Sequence, residues 1–155
     1  MHLSNRKPLR VLTAVSHDAL PLLTTALGLD FFFVFCDSMA SAKAALNEPI
    51  DVVLASINFD DGRIFDLLRL CKSIDHAKRI PFVCVKILEN EVDGAAQEAV
   101  DIASRSLGGD GFIDLYRWTR RFGVDQSYEE FRNLIDTLAQ FRRAQDQYNP
   151  ALSLT

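Results

Sequence analysis

Short apolar runs alternate along the chain with longer segments in which apolar residues recur every three or four positions. The runs are rich in β-branched and aromatic residues, a composition that favours strands. They lie at residues 11–15, 31–36, 51–57, 81–87 and 111–116. The segments between them have the periodicity of helices that pack one face against a sheet. The pattern therefore predicts five strands that alternate with helices.

The predicted helices are positioned by their apolar stripes and by residues that favour helix ends. The first four cover residues 18–29, 39–46, 65–74 and about 91–107. Asp37 or Ser38 is a suitable N-cap for the second helix. The last helix carries an apolar stripe over residues 128–141. Ser127 and Glu130 have the spacing of a capping box, which predicts the start of that helix.

Strands that alternate with helices of this length form βαβ units, and hence a mostly parallel sheet with helices on both faces. We expect an α/β fold of the flavodoxin-like, doubly wound (βα)5 type, with strand order 2-1-3-4-5 and sites at the carboxyl ends of the strands. The predicted domain spans residues 8–143 and includes a loop at residues 118–126. Residues 144–155 are predicted as a C-terminal tail that is frayed from residue 149.

The composition and charge suit one globular domain. The chain has 155 residues, of which 48% are hydrophobic and 25% charged, and a formal net charge of −4. This net charge disfavours broad nucleic-acid binding, which needs a basic face. Basic residues nevertheless cluster at Arg6/Lys7/Arg10 and at Arg117/Arg120/Arg121. We interpret both clusters as solvated surface rather than as phosphate sites.

The chain lacks the sequence features of a membrane or secreted protein. No apolar run approaches the roughly 20 residues of a membrane-spanning helix, and residues 1–7 lack the apolar core of a secretory signal. Cys36, Cys71 and Cys84 have no CxxC spacing and lie on apolar elements. We therefore expect buried thiols, a cytoplasmic protein, no membrane partner, and no metal or other cofactor.

Three segments resemble the receiver domains of response regulators, the phosphoryl-accepting proteins of two-component signalling. Residues 51–69 align without a gap with the receiver pattern D-L-V-L-L-D-I-N-M-P-G-M-D-G-F-E-L-L-R at the third strand and third helix. Residues 80–85 are similar to the family's I-P-V-I-x-L, and residues 107–112 to its L-G-A-x-D-Y at the fifth strand. The resemblance extends over residues 8–143 and implies the same fold.

The resemblance also implies a reaction whose residues this chain does not carry. In the family, a histidine kinase transfers a phosphoryl group to an aspartate at the end of the third strand. Acidic residues after the first strand hold Mg²⁺, and a Thr/Ser hydroxyl and a lysine neutralise the phosphoryl oxygens. The alignment places Ser56 at the position of the acceptor aspartate, and Val15 and Ser16 at the positions of the acidic pair. Lys86 takes the position of the Thr/Ser hydroxyl, and Leu115 that of the lysine. Tyr116 replaces a proline, whereas the aromatic residue of the fifth strand is retained as Phe112.

Loss of the whole set implies a degenerate receiver, or pseudo-receiver. We expect a signalling module that needs no phosphorylation, is not an enzyme, and binds a protein partner or a second copy of itself. The family's interaction face is formed by the fourth helix, the fifth strand and the last helix. In this chain that face would carry Phe112, Arg117, Arg120 and Arg121.

Two alternatives to a phosphorylation-independent module remain open. One is a receiver that is still phosphorylated, on Ser56, Asp60 or Asp61. The other is a small-ligand sensor that uses the vacated pocket at the strand ends.

Lys86 is interpreted as a lysine that reaches solvent from a strand end. An inward-pointing ammonium would instead mimic the switched state and pair with Asp60 or Asp61.

The second predicted strand is rich in phenylalanine and lies at an edge of the sheet. Its alternate residues point to opposite faces, so that Phe31, Phe33 and Phe35 share one face. Edge strands that are apolar on both faces pair with other strands unless they are covered. Helices on both faces would cover this strand, and a dimer or partner contact is the alternative.

Overall fold

A parallel sheet organises the chain, and the computed structural model describes residues 7–89 and 94–148. Its strands are β1 (Leu9–Ala14), β2 (Phe31–Cys36), β3 (Val52–Ser56), β4 (Phe82–Lys86) and β5 (Phe112–Asp114). All neighbouring strands are parallel, in the order β2-β1-β3-β4-β5. The predicted fold class and strand order are confirmed. Arg6, the predicted helix start at Glu91 and the frayed end at 149–155 lie outside the described residues.

Helices connect the strands and cover both faces of the sheet. They are α1 (Leu20–Leu27), α2 (Met39–Ala45), α3 (Ile64–Ser73), α4 (Gly94–Ser106), α5 (Leu115–Phe122) and α6 (Val124–Tyr148). Ser38 caps α2 in a capping box with Ser41, which confirms one of the two predicted N-caps. Gly28, at φ 81°, follows the last residue of α1 and allows the chain to turn back towards β2.

Two hydrophobic cores lie on opposite faces of the sheet because successive strand residues point to opposite sides. The α1/α6 core joins Val52 and Leu54 of β3 to Phe131 of α6. The α2/α3 core joins Val53 and Ala55 to the apolar faces of α2 and α3. Every residue of β3 and β4 is buried, as predicted for strands covered on both faces.

The segment after β5 differs from the prediction. β5 ends at Asp114 and α5 begins at the next residue, so the predicted loop at residues 118–126 is wrong. The Asp114 carboxylate accepts a hydrogen bond from the Arg117 backbone N–H (2.9 Å) and thereby caps α5. Leu115 and Trp118 of this helix pack into the α1/α6 core. The prediction failed because Leu115 was assigned to the strand, which hid its helical spacing with Trp118.

The last helix begins earlier than predicted. Gly123, at φ 87°, separates α5 from α6, which starts at Val124 rather than at a cap formed by Ser127. The backbone N–H of Ser127 donates to the Gly123 carbonyl (3.2 Å), so Ser127 lies inside the first turn. Its Oγ is buried and has no hydrogen-bond partner among the described residues. α6 continues to Tyr148, beyond residue 143 where the predicted domain ends.

An ion pair fastens the end of α6 to the sheet. Arg143 donates from Nε to Asp51 Oδ1 (2.8 Å) and from Nη2 to Asp51 Oδ2 (2.7 Å). The same carboxylate accepts the backbone N–H of Arg10 in β1 (2.8 Å). Since Asp51 is buried, its charge is stabilised by this two-pronged guanidinium contact.

The β2 strand forms one edge of the sheet, as predicted. Phe33 and Phe35 pack against the α1/α6 core, whereas Phe32 is 50% exposed on the other face. The Arg10 guanidinium lies over the Phe32 ring, 4.6 Å from its centroid. This cation–π contact covers part of the exposed ring.

Candidate functional site

Two clefts lie at the carboxyl ends of the strands and share no lining residue. The acidic cleft has a volume of about 350 Å³ and is lined by Val15, Ser16, His17, Asp37, Asn58, Asp60 and Asp61. The basic cleft has a volume of about 460 Å³ and is lined by Lys86, Gln97, Asp114, Tyr116, Arg117, Arg120 and Arg121. The acidic cleft follows β1 and β3, and the basic cleft follows β4 and β5. The predicted site residues that line a cleft are therefore divided between two places, and Ser56, Leu115 and Phe112 line neither.

The side chains of the acidic cleft mainly support local structure. Ser16 Oγ accepts a hydrogen bond from the Ala19 N–H (3.3 Å) just before α1. His17 Nε2 lies 3.2 Å from Asp37 Oδ2, in an exposed pair. Asp60 Oδ2 accepts the backbone N–H of Met39 (2.8 Å) at the start of α2. In residues 7–89 and 94–148, no group of three His, Cys, Asp or Glu side chains is placed to hold a metal ion.

The residues that align with the receiver's acceptor and acidic pair lie largely inside the protein. Val15 is 1% exposed and Ser56 is 2% exposed. Ser56 Oγ accepts the Asn58 backbone N–H (3.3 Å). The backbone turns sharply after this point, because Asp60 and Asp61 have φ values of 44° and 56°. The side chain of Asp61 thereby reaches the acidic cleft, whereas Ser56 does not line it.

Lys86 does not reach into solvent, contrary to the sequence-based interpretation. The residue is 7% exposed, and its Nζ lies 5.8 Å from the centroid of the Tyr116 ring. It is paired with Asp114 in the parallel register of β4 and β5. The prediction failed because it left α5 out, and α5 brings Tyr116 over the end of β4.

The basic cleft is built on α5. Arg117, Arg120 and Arg121 lie on this helix at exposed positions. Arg120 Nη1 donates a hydrogen bond to the Tyr116 hydroxyl (2.8 Å), and its guanidinium lies 5.6 Å from the Tyr116 ring centroid. The hydrogen bond to Tyr116 raises the pKa of Arg120. Arg120 is therefore held in one place by a neighbour on its own helix.

The four residues predicted for the interaction face do not all line the basic cleft. The three arginines line the basic cleft, but Phe112 is half-buried and packs against the α2/α3 core. Leu115, which aligns with the receiver lysine, is 2% exposed in the α1/α6 core. Sequence reasoning missed Gln97 and Asp114 as lining residues. Asp114 could have been recognised as the start of a helix, because aspartate is a preferred N-cap residue. In the structure it accepts the backbone N–H of Arg117, three residues later.

The cysteines are buried, as predicted, and unpaired in the structure. Burial raises the pKa of Cys71 to about 12 and that of Cys84 to about 11. Burial also raises the pKa of Cys36. Because the thiolate is the nucleophilic form, none of the three is activated for chemistry at neutral pH.

Comparison with solved structures identifies receiver domains. The phosphorylated cyanobacterial phytochrome response regulator RcpA matches with a TM-score of 0.60 and 20% identity, over 82% of this chain and 91% of that one. The manganese-bound response regulator Rcp1 matches with a TM-score of 0.58 and 21% identity, over the same shares. The receiver domain of a sensor histidine kinase from Pseudomonas aeruginosa, with magnesium in its active-site cleft, gives a TM-score of 0.63 at 11% identity, over 86% and 98%.

These matches establish the fold, which is that of response-regulator receiver domains. No family model matches the sequence, and no curated protein matches it. Within the part of the chain that the structure describes, no helix combines the length and apolar character needed to cross a membrane.

Proposed function

We propose that the chain is a receiver-like regulatory module that acts without phosphorylation and binds a protein partner, or a second copy of itself, in two-component-type signalling. The observation that carries this proposal is the burial of four of the five positions that align with the receiver's reacting groups, the exposed Ser16 being the fifth. Val15, Ser56, Lys86 and Leu115 are each at most 7% exposed. In this proposal the chain regulates by contact and is not an enzyme.

The acceptor side of the receiver reaction has no equivalent chemistry here. An aspartate acceptor forms an acyl phosphate, which the Ser56 hydroxyl cannot form. The two positions aligned with the metal-binding pair hold Val15 and Ser16, and neither has a carboxylate. Hard Mg²⁺ prefers carboxylate and water oxygens, so the aligned positions offer it no anionic ligand.

The positions that correspond to the receiver's hydroxyl and lysine do not place a cation beside Ser56. Leu115 stands at the lysine position and fills the α1/α6 core. Lys86 lies beside the Tyr116 ring and lines the basic cleft rather than the acidic cleft that follows β3. A phosphoryl group on Ser56 would therefore lack the cations that neutralise its oxygens in a receiver.

The surface around α5 supports the proposal of a protein partner. Phe122 and Val124 are both about half exposed next to the arginines of α5. Exposed aromatic residues and arginines are enriched at protein interfaces. The contact surface would thus include α4 and β5, as the resemblance to receivers implies, together with α5, a helix that the sequence did not predict.

The test is the intact mass of the protein with and without acetyl phosphate and Mg²⁺. We expect no added phosphoryl group, and no change in the amide NMR spectrum with beryllofluoride. The Ser56→Asp variant restores a carboxylate at the acceptor, and we expect it also to remain unmodified because the metal ligands are missing.

A stoichiometric phosphoryl adduct on the unaltered chain would overturn the proposal in favour of a phosphorylated receiver. The variants Ser56→Ala, Asp60→Asn and Asp61→Asn then identify the modified residue, since only the variant at that position loses the adduct. Ser56 ends β3, and Asp60 and Asp61 follow it closely in the chain, so each variant serves as a control for the others.

A further inference from the structure

The basic cleft brings one lysine and three arginines together with one aspartate among its lining residues. We propose that it binds a small molecule through two or more adjacent phosphoryl groups, as in pyrophosphate or a nucleoside di- or triphosphate. The site lies beside β4, β5 and α5, away from the acidic cleft that contains the vacated receiver positions. The inference does not depend on how the chain signals.

The charge of the cleft favours an anion. Lys86, Arg117, Arg120 and Arg121 line it, and the carboxylate among its lining residues is that of Asp114. Glu89 also interacts electrostatically with Arg120. Among the described residues that line the cleft, cations therefore outnumber carboxylates, although the whole chain has a net charge of −4.

The chemistry of the donors favours phosphoryl oxygens. Guanidinium groups present planar, two-pronged donors that match phosphate geometry and remain charged at every physiological pH. Three of them come from one short helix, at Arg117, Arg120 and Arg121. A volume of about 460 Å³ lies within the range of small-ligand sites, roughly 300–1,000 Å³, and leaves room for more than one phosphoryl group.

Part of the cleft is already held in place before a ligand binds. The Tyr116 hydroxyl fixes Arg120, and Asp114 fixes the first turn of α5. Lys86 belongs to a fully buried strand. Groups that are ordered in advance lose less conformational entropy on binding, which increases affinity.

The rest of the surface favours a small ligand over a long polyanion. Nucleic acids need a basic face several phosphates long, because their affinity grows with the number of phosphates contacted. Here positive charge is concentrated in one concave place on an acidic chain. A compact anion is therefore attracted by the positive charge of the cleft and stays away from the negatively charged remainder of the surface, which would repel a longer polyanion.

Isothermal titration calorimetry and amide NMR titration with pyrophosphate and ATP test the proposal, with sulfate at equal ionic strength as the reference anion. We expect saturable one-to-one binding of pyrophosphate or ATP, with shifts at residues 86 and 115–121. The double variant Arg120→Gln/Arg121→Gln should weaken this affinity roughly tenfold or more, as expected for lost charge-assisted hydrogen bonds. Arg69→Gln is the matched control, since Arg69 is exposed on α3 and contacts Asp66 (3.4 Å).

Several results would overturn the proposal. Absence of saturable binding, equal binding of sulfate, or undiminished binding by the double variant would each show that the cleft is ordinary solvated surface. An oligoglutamate peptide that binds through the same arginines more tightly than pyrophosphate would assign the cleft to an acidic protein partner instead. Retained affinity in Arg69→Gln, together with loss in the double variant, supports the proposal.

Discussion

The acidic and basic clefts lie at the same edge of one sheet but carry opposite charge. Asp37, Asp60 and Asp61 line the first cleft, and the arginines of α5 line the second. The receiver reaction needs both kinds of group in one pocket, because carboxylates hold the metal while cations neutralise the phosphoryl oxygens. In this chain the two kinds of charged group lie in separate clefts that share no lining residue.

The two clefts also differ in construction. The acidic cleft is formed by loops, and its Asp60 and Asp61 have left-handed backbone conformations. The basic cleft is formed by strand ends and by α5, which follows β5 without an intervening residue. Side chains on strands and helices are positioned more rigidly than side chains on loops. We therefore expect substitutions in the basic cleft to have the larger effects on stability.

The largest effect is expected from restoring the receiver lysine. Leu115→Lys places an ammonium in the α1/α6 core and should lower the free energy of unfolding by about 3 kcal/mol, because a buried charge without a partner is costly. Urea unfolding followed by circular dichroism measures the change. Leu115→Met has a similar volume without the charge and should cost less than about 1.5 kcal/mol.

The equivalent restoration in the acidic cleft should have little effect. Ser16→Asp introduces a carboxylate at an exposed position and should change the free energy of unfolding by no more than about 0.5 kcal/mol. If Leu115→Lys were tolerated equally well, the lysine position would be open to solvent rather than buried in the α1/α6 core.

A smaller effect is expected at Asp114, which both caps α5 and lines the basic cleft. Asp114→Ala should lower the free energy of unfolding by about 1 kcal/mol through loss of the cap. Asp114→Asn retains the capping oxygen and removes the charge, so it should leave stability nearly unchanged. Asp114→Asn should bind pyrophosphate more tightly than the unaltered chain, as measured by calorimetry, whereas Asp114→Ala also loses the ordered first turn of α5. Weaker binding by Asp114→Asn would show that the carboxylate does not oppose an anion in this cleft.

The smallest effect is expected at the exposed His17–Asp37 pair of the acidic cleft. His17→Gln should lower the free energy of unfolding by less than about 0.5 kcal/mol, because exposed ion pairs contribute little. Asp37→Asn should give the same small change, and thermal unfolding at two salt concentrations measures both. A loss above about 1 kcal/mol in either variant would mean that the acidic cleft is as tightly built as the basic one.

Most of the fold was predictable from the sequence because local patterns carry it. The consecutive apolar residues of β3 and β4 indicated strands covered on both faces, and the structure buries every residue of both. The Phe-rich β2 was correctly placed at an edge. The failure at α5 came from a region where two patterns overlap, since Leu115 suits both the end of a strand and the start of a helix.

The candidate site was less predictable because it depends on contacts between elements. The apolar run of β4 placed Lys86 at a strand end, but its burial depends on Tyr116 from a helix that was not predicted. Similarly, the arginines could be listed from the sequence, whereas their convergence on one cleft with Gln97 follows from the packing of α4 and α5 near β5. Phe112 was placed on the correct strand, but its packing against the α2/α3 core depends on which face of the sheet its side chain takes, and this was not predicted.

The attachment of α6 has a consequence for the order in which the protein folds. Asp51 and Arg143 are separated by 92 positions in the chain, and Phe131, Ile135 and Ala139 of α6 complete the α1/α6 core. If the chain folds while it is synthesised, this face of β1 and β3 is covered only in part, by α1, until α6 has emerged. We expect a truncated chain that ends before α6 to expose this apolar surface and to aggregate.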